Sequence, residues 1–260
     1  FCHTYNDIIS LENLLEAWKE FVRGKRTKKD VQEFQIHLLD NIIDLYNDLV
    51  AKTYKHGGYH AFNINDPKPR NIHKATVRDR LLHHAIYRKL YLFFDCTFIS
   101  DSFSCRLDKG SHKAIKRFID FGRTVSKNNT KTCWILKCDV RKFFASINQS
   151  VLMNILELYI PNNDILCLLE NIVTSFPSGL PLGNLTSQLL VNIYMNEFDQ
   201  FMKNKIKVKY YIRYADDFMI FSHNKIYLKS QIQHISKFLE RTLGLSLHPN
   251  KVFIKTLASG

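Results

Sequence analysis

Two adjacent aspartates lie between two apolar segments in residues 210–221, Tyr-Tyr-Ile-Arg-Tyr-Ala-Asp-Asp-Phe-Met-Ile-Phe. The β-branched and aromatic residues on both sides are typical of strands, so the segment predicts a β-hairpin with Asp216 and Asp217 at or beside its turn. A turn that only reverses the chain favours Asn-Gly or Asp-Gly, whereas two adjacent carboxylates repel each other. A cation is therefore expected to compensate them, and Mg²⁺ suits a site with few carboxylates. The pair alone is also compatible with an exposed acidic turn.

A third aspartate follows another apolar segment, in which residues 133–139 read Cys-Trp-Ile-Leu-Lys-Cys-Asp. A strand here would deliver Asp139 at its end, where it can reach a neighbouring hairpin turn and join Asp216 and Asp217. Two metal ions roughly 4 Å apart, held by such a set, can activate an attacking hydroxyl and stabilise a departing pyrophosphate. Taken alone, Asp139 would be read as a helix or turn cap.

The charge balance indicates a polyanionic partner. The 37 Lys and Arg residues exceed the 24 Asp and Glu residues and give a formal charge of +13. A basic protein that still gathers carboxylates in one place is expected to bind nucleic acid over its surface and metal where the acids converge. Basic ribosomal and membrane-surface proteins share this charge, so it indicates a partner and not a reaction. The length of 260 residues predicts two subdomains.

The six cysteines have neither zinc spacing nor a disulfide pattern and are expected to be reduced and mostly buried.

No apolar stretch of about 18 residues and no secretory leader is found, so an intracellular protein without a membrane span is expected. A chain that starts at Phe1 and stops at Gly260 is expected to be a fragment of a longer protein.

The N-terminal region has helical periodicity, and one helix is expected over residues 11–22 and a second over residues 34–49, with a basic stretch at residues 23–29 between them. From residue 53 to residue 76 the period is lost, and turns such as Asp66-Pro67 are expected between strands. Alternate residues of a strand face one side, so Lys68 and Arg70 could together hold a triphosphate; a generic basic surface is the alternative. In the later loop, Arg106, Lys109 and His112 could meet a template backbone or simply be solvated.

A glycine-containing loop, residues 177–188, lies between the two acidic segments. Gly179 and Gly183 allow close approach of the backbone to a ligand, and Thr186 or Ser187 is expected to cap the helix that follows. Further on, a helix over residues 226–243 leads to a strand that contains Lys251. This lysine could protonate the departing pyrophosphate as a general acid, or be solvated.

The ordered set resembles reverse transcriptases of the group II intron lineage. It consists of Tyr214-Ala-Asp-Asp217, Asp139 followed by Phe143-Phe144, the loop at 179–188, and Lys251, and the resemblance covers about residues 60–257. Within that lineage the loop looks most like that of diversity-generating retroelement enzymes. Intron enzymes usually have Gln before the second glycine and Ser-Pro at the helix start, whereas this chain has Leu182 and Ser187-Gln188, a departure that argues against intron splicing activity.

The resemblance implies an α+β right-hand polymerase fold, with an antiparallel palm sheet flanked by helices and largely helical fingers. It divides the chain into an N-terminal helical extension at 1–60, fingers at 61–130 and a palm at 131–260. Residues 148–180 would pack between palm and fingers. The primer grip and thumb would not be included.

The resemblance also implies roles for individual residues. Asp139, Asp216 and Asp217 would bind two Mg²⁺ ions, which Mn²⁺ can replace, with help from the carbonyl of Val140. Phe144 would exclude a ribose 2′-hydroxyl. Lys68 and Arg70 would hold the incoming triphosphate, and Leu182 and Gly183 would lie at the nascent base pair. Template or backbone contacts are expected from Arg78, Arg106, Lys109, Ser187 and Gln188.

The implied activity is RNA-directed DNA synthesis by a diversity-generating retroelement enzyme, with error-prone cDNA as product. The implied partners are an RNA template, a DNA or RNA primer with its cDNA, dNTPs and a small basic accessory protein, in the cytoplasm of a prokaryote or encoded by a phage. A maturase-like splicing cofactor, a defence-associated reverse transcriptase and a non-catalytic RNA-binding protein on the same scaffold are the alternatives.

Overall fold

The computed structural model describes residues 1–65 and 68–259. The turn expected at Asp66-Pro67 lies outside these ranges. The helices are α1 Tyr5–Ile9, α2 Leu11–Phe21, α3 Lys29–Ile36, α4 Leu38–Val50, α5 Val77–Asp95, α6 Ser111–Val125, α7 Phe143–Ser146, α8 Gln149–Tyr159, α9 Asn163–Thr174, α10 Leu185–Gln200 and α11 Lys225–Leu243. The strands are β1 Tyr59–Ile64, β2 Arg70–Ala75, β3 Trp134–Cys138, β4 Tyr211–Tyr214, β5 Asp217–Ser222 and β6 Phe253–Thr256.

The chain forms two compact units, each built from two separate stretches of sequence. The first unit contains Phe1–Cys96 and Gln149–Leu190, and the second contains Thr97–Asn148 and Val191–Gly260. These units group residues by packing and do not follow the boundaries expected at residues 60 and 130. The division into extension, fingers and palm therefore stays a prediction.

The first unit is mostly helical, and a buried amide on α2 joins this helix to α1 and α5. Asn13 on α2 donates hydrogen bonds to the carbonyls of Ile8 and Ala85, at 2.7 and 3.0 Å. One helix was expected over residues 34–49, but the chain breaks at His37, whose φ of −114° and ψ of 41° are not helical. This break separates α3 from α4 and lets each helix bury its own apolar side.

The start of α10 corrects another expectation. The helix begins at Leu185, so Thr186 and Ser187 lie in its first turn and are not capping residues. Both are buried. Asn184, at the position before the helix, turns its side chain to β2 and donates a hydrogen bond from Nδ2 to the carbonyl of His73, at 3.2 Å.

The second unit contains a four-stranded antiparallel sheet with the strand order β4-β5-β3-β6. Tyr211 and Phe218 on one face pack against Phe198 of α10. On the other face, Phe118 and Phe121 of α6 contact Phe221 edge to face. An antiparallel sheet flanked by helices is the arrangement that the resemblance implies for the palm, and this expectation is confirmed.

All six cysteines are free, but the expectation that most are buried is wrong. Only Cys133 and Cys138 are buried, because they lie on or beside the central strand β3. The other four occupy exposed positions at chain ends, helix surfaces and loops. Within the described residues, none of the helices has the length and apolar character needed to cross a bilayer.

Candidate active site

The hairpin formed by β4 and β5 carries the two adjacent aspartates, as the sequence predicts. Tyr214 and Asp217 are the last paired residues, so Ala215 and Asp216 form a two-residue loop. Asp217 therefore starts β5, and Asp216 projects from the turn itself.

Asp139 reaches the same end of the sheet through the pairing of β3 with β5. The last pair in that register is Cys138 with Phe218, so the next position sets Asp139 opposite Asp217. Directly opposed residues in an antiparallel pair have Cβ atoms about 5 Å apart. The strand tip and the hairpin thus bring the three predicted carboxylates to one edge.

The charges of these carboxylates act on one another. Burial raises the pKa of Asp216 above its usual value, and the negative charges of Asp139 and Asp217 raise it further. Two lysines supply partial compensation. Lys251 lies 2.9 Å from Asp139, and Lys137 lies 3.5 Å from Asp217.

A return of the chain beside β3 places Lys251 at the site. Val140 pairs with Leu247, and the amide of His248 donates a hydrogen bond to the carbonyl of Asp139, at 2.7 Å. The hydrogen bond to Asp139, together with the charge of that carboxylate, raises the pKa of Lys251. Lys251 is therefore fully protonated near neutral pH, which is the form that a proton donor needs.

The donor set fits Mg²⁺. Within residues 1–65 and 68–259, no three acidic, histidine or cysteine side chains converge as a preformed metal cage. Magnesium does not need such a cage, because it binds one or two carboxylates and completes its shell with water and substrate phosphates. A cation near Asp216 would also relieve the repulsion that raises the pKa of this carboxyl group. Asp139, Asp216 and Asp217 are the residues that would hold the metal.

Two aromatic rings follow Asp139 at the short helix α7. Phe143 is buried and contacts Phe144 edge to face, with ring centroids 5.5 Å apart. Phe144 is only half buried. Phe143 thus anchors the turn and leaves the ring of Phe144 accessible, as a contact with substrate would require.

Apart from Phe144, the residues expected to bind the nucleotide lie in the first unit, so their geometry towards the carboxylates stays a prediction. Lys68 and Arg70 are exposed. The loop with Leu182 is tied to β2, because the amide of His73 donates a hydrogen bond to the carbonyl of Leu182, at 2.9 Å. Gly183 has a φ of +113°, and a Cβ atom there would lie 2.7 Å from Cγ2 of Ile72. Glycine is therefore required at this position.

A basic cavity of about 360 Å³ in the first unit is lined in part by Gly183 and Gln188. Its cationic lining comes from Lys25, Lys74 and Arg80. Gln188 is half buried, whereas Ser187 is 3% exposed. The predicted backbone contact therefore suits Gln188 better than Ser187.

Three other residues expected at the template already have protein partners. Arg78 forms an ion pair with Asp48. Arg106 donates hydrogen bonds to the carbonyls of Ile99 and Ser102, and Lys109 donates one to the carbonyl of Ser100. These side chains fasten their own segments, and their contacts with a template remain predictions.

Sequence reasoning missed Lys137 and a buried ion pair beneath the hairpin. Arg213 and Asp199 are 1% and 0% exposed and lie 2.7 Å apart. A charged residue in the middle of the apolar strand at 210–214 was the available signal for Arg213. Asp199, fourteen residues earlier, gave no signal of its own.

Known proteins resemble this chain in sequence. Three curated relatives are the putative COX1/OXI3 intron 2 protein of Saccharomyces cerevisiae, protein YkfC of Escherichia coli, and the group II intron-encoded protein LtrA of Lactococcus lactis. Their identities are 21%, 23% and 24%, over 78%, 74% and 56% of this chain. The chain spans 30%, 61% and 25% of their respective lengths.

Solved structures show the same fold. Telomerase from Candida albicans superposes with a TM-score of 0.56 at 12% identity, covering 83% of this chain and 47% of that one. Telomerase from Candida tropicalis gives 0.57 at 13% identity, with 84% and 45% covered. Residues 55–257, which include all three carboxylates and Lys251, match the family described as "Reverse transcriptase (RNA-dependent DNA polymerase)". Fold, ordered motifs and sequence match agree, and the chain belongs to the reverse transcriptase family.

Proposed function

We propose that this chain carries the polymerase centre of an enzyme that copies RNA into DNA by nucleotidyl transfer with two Mg²⁺ ions. The observation that carries the proposal is the convergence of Asp139, Asp216 and Asp217 at one end of the sheet, where partial burial and the two neighbouring charges raise the pKa of Asp216. Clustered carboxylates repel one another and destabilise the folded protein unless a cation compensates them. Carboxylates with perturbed pKa values are therefore typical of functional sites.

Different groups of the second unit would serve different steps of the reaction. Bound magnesium would activate the primer hydroxyl and neutralise charge on the departing pyrophosphate. Lys251, protonated and 2.9 Å from Asp139, is suited to give its proton to the pyrophosphate. The half-buried ring of Phe144 would exclude nucleotides with a 2′-hydroxyl.

The first unit would bind the remaining groups of the substrate. Lys68 and Arg70 would hold the triphosphate, and the loop with Leu182 and Gly183 would lie against the new base pair. The charge of +13 supports binding of an RNA template and a primer. A cytoplasmic location and a small basic accessory protein belong to this proposal through the resemblance alone.

For the subtype we propose a diversity-generating retroelement enzyme. Leu182 offers a branched apolar side chain where an amide could hydrogen-bond the nucleotide or template, so selection would rest on shape, which discriminates modestly. Intron-encoded relatives favour a second candidate, a group II intron-encoded polymerase. Neighbouring DNA with a template repeat and a variable repeat would identify the retroelement.

Primer extension by the full-length protein tests the activity. A defined RNA template with a DNA primer, dNTPs and Mg²⁺ is expected to yield cDNA, and chelation of the metal with EDTA is expected to stop synthesis. RNA binding without any incorporation would contradict the proposal and favour a non-catalytic RNA-binding protein.

Leu182→Gln tests the subtype in the same assay. Only the carbonyl of Leu182 is bound to His73, so the new side chain leaves the backbone attachment of the loop intact. Sequencing of the cDNA is expected to show fewer errors opposite template adenine than in the wild type. An unchanged error rate there would overturn the role of Leu182.

A further inference from the structure

The turn that carries Asp216 has an unfavourable backbone conformation. Ala215, the first of its two loop residues, has a φ of +54°. Residues with a side chain rarely adopt this left-handed region, and hairpin loops of this length usually place Asn, Asp or Gly there. Alanine has no side-chain hydrogen bond that could favour the conformation. A hydrogen bond from outside the turn would offset this cost.

The side chain of Arg213, which lies on β4, supplies such a contact. Its Nη1 atom donates a hydrogen bond to the carbonyl of Ala215, at 3.0 Å. This carbonyl belongs to the peptide bond that leads into Asp216. The contact therefore acts on the backbone from which the metal-binding carboxylate projects.

The guanidinium of Arg213 has no freedom to move away. It has five N–H donors. Nε donates to Oδ1 of Asp199 at 2.9 Å, Nη1 also donates to Asn192 at 3.3 Å, and Nη2 donates to Asp199 at 2.7 Å and to Ser102 at 3.1 Å. With the bond to Ala215, all five donors are used inside the protein.

The anchor of this network lies outside the hairpin turn. Asp199 belongs to α10, is 0% exposed, and accepts a further hydrogen bond from the hydroxyl of Tyr211, at 2.7 Å. Because Arg213 is bound to Asp199 at two of its nitrogens, the position of its fork is set by the helix. The turn is thus held in place relative to α10.

We propose that Arg213 is a positioning residue, whose fork holds the Ala215 carbonyl and so directs the Asp216 carboxylate towards the metal. This inference rests on the proposed function. Lysine cannot replace arginine here, because it offers a single nitrogen in place of a planar fork. The charge on Asp199 would still be compensated, but the bond to the turn would be lost.

Metal binding in the full-length protein tests the proposal without relying on catalysis. Mn²⁺ binding is measured from the electron paramagnetic resonance signal of the free ion, with Asp216→Asn identifying the contribution of the carboxylates. Arg213→Lys is expected to weaken Mn²⁺ binding about tenfold and to raise the Mg²⁺ concentration for half-maximal synthesis by a similar factor. The KM for primer–template is expected to stay unchanged.

Tyr211→Phe is the matched control. It removes one hydrogen bond to Asp199 but leaves the Arg213 fork bound, so a lower urea midpoint with unchanged Mn²⁺ affinity is expected. If Arg213→Lys leaves Mn²⁺ affinity unchanged, or Tyr211→Phe weakens it equally, the positioning role is overturned.

If Arg213→Lys does not fold, the Mn²⁺ affinity of Asn192→Ser tests the positioning role instead, because Asn192 and Ala215 both accept hydrogen bonds from Nη1 of Arg213. A two- to threefold weaker affinity supports the proposal, and no change overturns it.

The same experiment separates this inference from the proposed function. A wild-type protein that binds Mn²⁺ through the carboxylates but makes no DNA would refute the polymerase activity, while the affinities of the variants would still decide the role of Arg213. A wild-type protein without any Mn²⁺ binding would overturn both.

Discussion

The ammonium group of Lys251 lies 2.9 Å from Oδ2 of Asp139, although 112 residues separate them in the sequence. The ion pair forms because the segment that contains Leu247 returns alongside Val140. It compensates one carboxylate of the site and, at the same time, places a protonated lysine there.

Lys251→Ala is expected to reduce kcat for nucleotide addition by about 10²-fold, the size of effect typical of a general acid. The KM for primer–template is expected to change little, because one exposed lysine contributes little to the basic surface. Single-turnover incorporation measures the effect. Lys251→Arg, which keeps the charge, serves as the control, and equal activity of wild type and Lys251→Ala would exclude the role in chemistry.

Phe144→Ala is expected to raise incorporation of ribonucleotides relative to deoxyribonucleotides by about 10- to 100-fold, because steric exclusion of one small group has this magnitude. Competition between dNTPs and rNTPs at fixed template measures the ratio. Phe143→Leu is the matched control, since Phe143 is buried and contacts Phe144 only from the side. Discrimination that survives in Phe144→Ala would show that another group acts as the gate.

Gly183→Ala is expected to destabilise the protein by about 1–3 kcal/mol, because alanine is strained at positive φ and its Cβ would collide with Ile72. Urea unfolding measures the loss. Gly58→Ala is the control, since no atom lies within 4 Å of a Cβ atom there and its φ is not positive. The two variants should therefore differ clearly, and equal stability would contradict the described loop.

Acid should destabilise the first unit through two histidines. Burial lowers the pKa of His83 to about 3 and that of His84 to about 4. In the unfolded chain both titrate near the ordinary value of about 6.5, so below that pH the unfolded state binds protons that the folded state excludes. Stability therefore falls as the pH decreases from 6.5, by up to about 1.4 kcal/mol per pH unit for each histidine.

Urea unfolding at pH 6 and pH 5 measures this slope. His83→Leu is expected to remove the contribution of one titrating histidine from this pH dependence. The double variant His83→Leu with His84→Leu is expected to remove the contributions of both. A slope in His83→Leu that equals the wild-type slope would show that His83 is not held neutral in the folded protein.

The features that the sequence predicted correctly are local. The β-branched and aromatic residues on both sides of Asp216 and Asp217 identified the hairpin, and the apolar run before residue 139 identified β3, because strand-forming residues mark each strand locally. The helix expected over residues 226–243 is α11, Lys225–Leu243, and it ends at Gly244, whose φ of +60° suits glycine. Such patterns do not depend on the rest of the fold.

The features that the sequence did not reveal depend on distant residues. The fork of Arg213 meets Ser102, which is 111 positions away, and Lys137 compensates Asp217 only after β3 and β5 have paired. Helical periodicity continues through His37, so the break between α3 and α4 gave no periodic signal. Capping by Thr186 or Ser187 was wrong because α10 already starts at Leu185, directly after Asn184, whose side chain is bonded to the distant strand β2.

Asp216→Asn tests the central claim most directly, when synthesis, RNA binding and stability are measured together. The pKa of Asp216 is raised because its charged form is disfavoured by burial and by Asp139 and Asp217. A neutral amide should therefore leave the protein at least as stable without metal. We expect DNA synthesis on an RNA template to be abolished, with RNA affinity and the urea midpoint retained. Undiminished synthesis, or an equal loss of synthesis and RNA binding, would contradict a metal-dependent polymerase centre at these carboxylates.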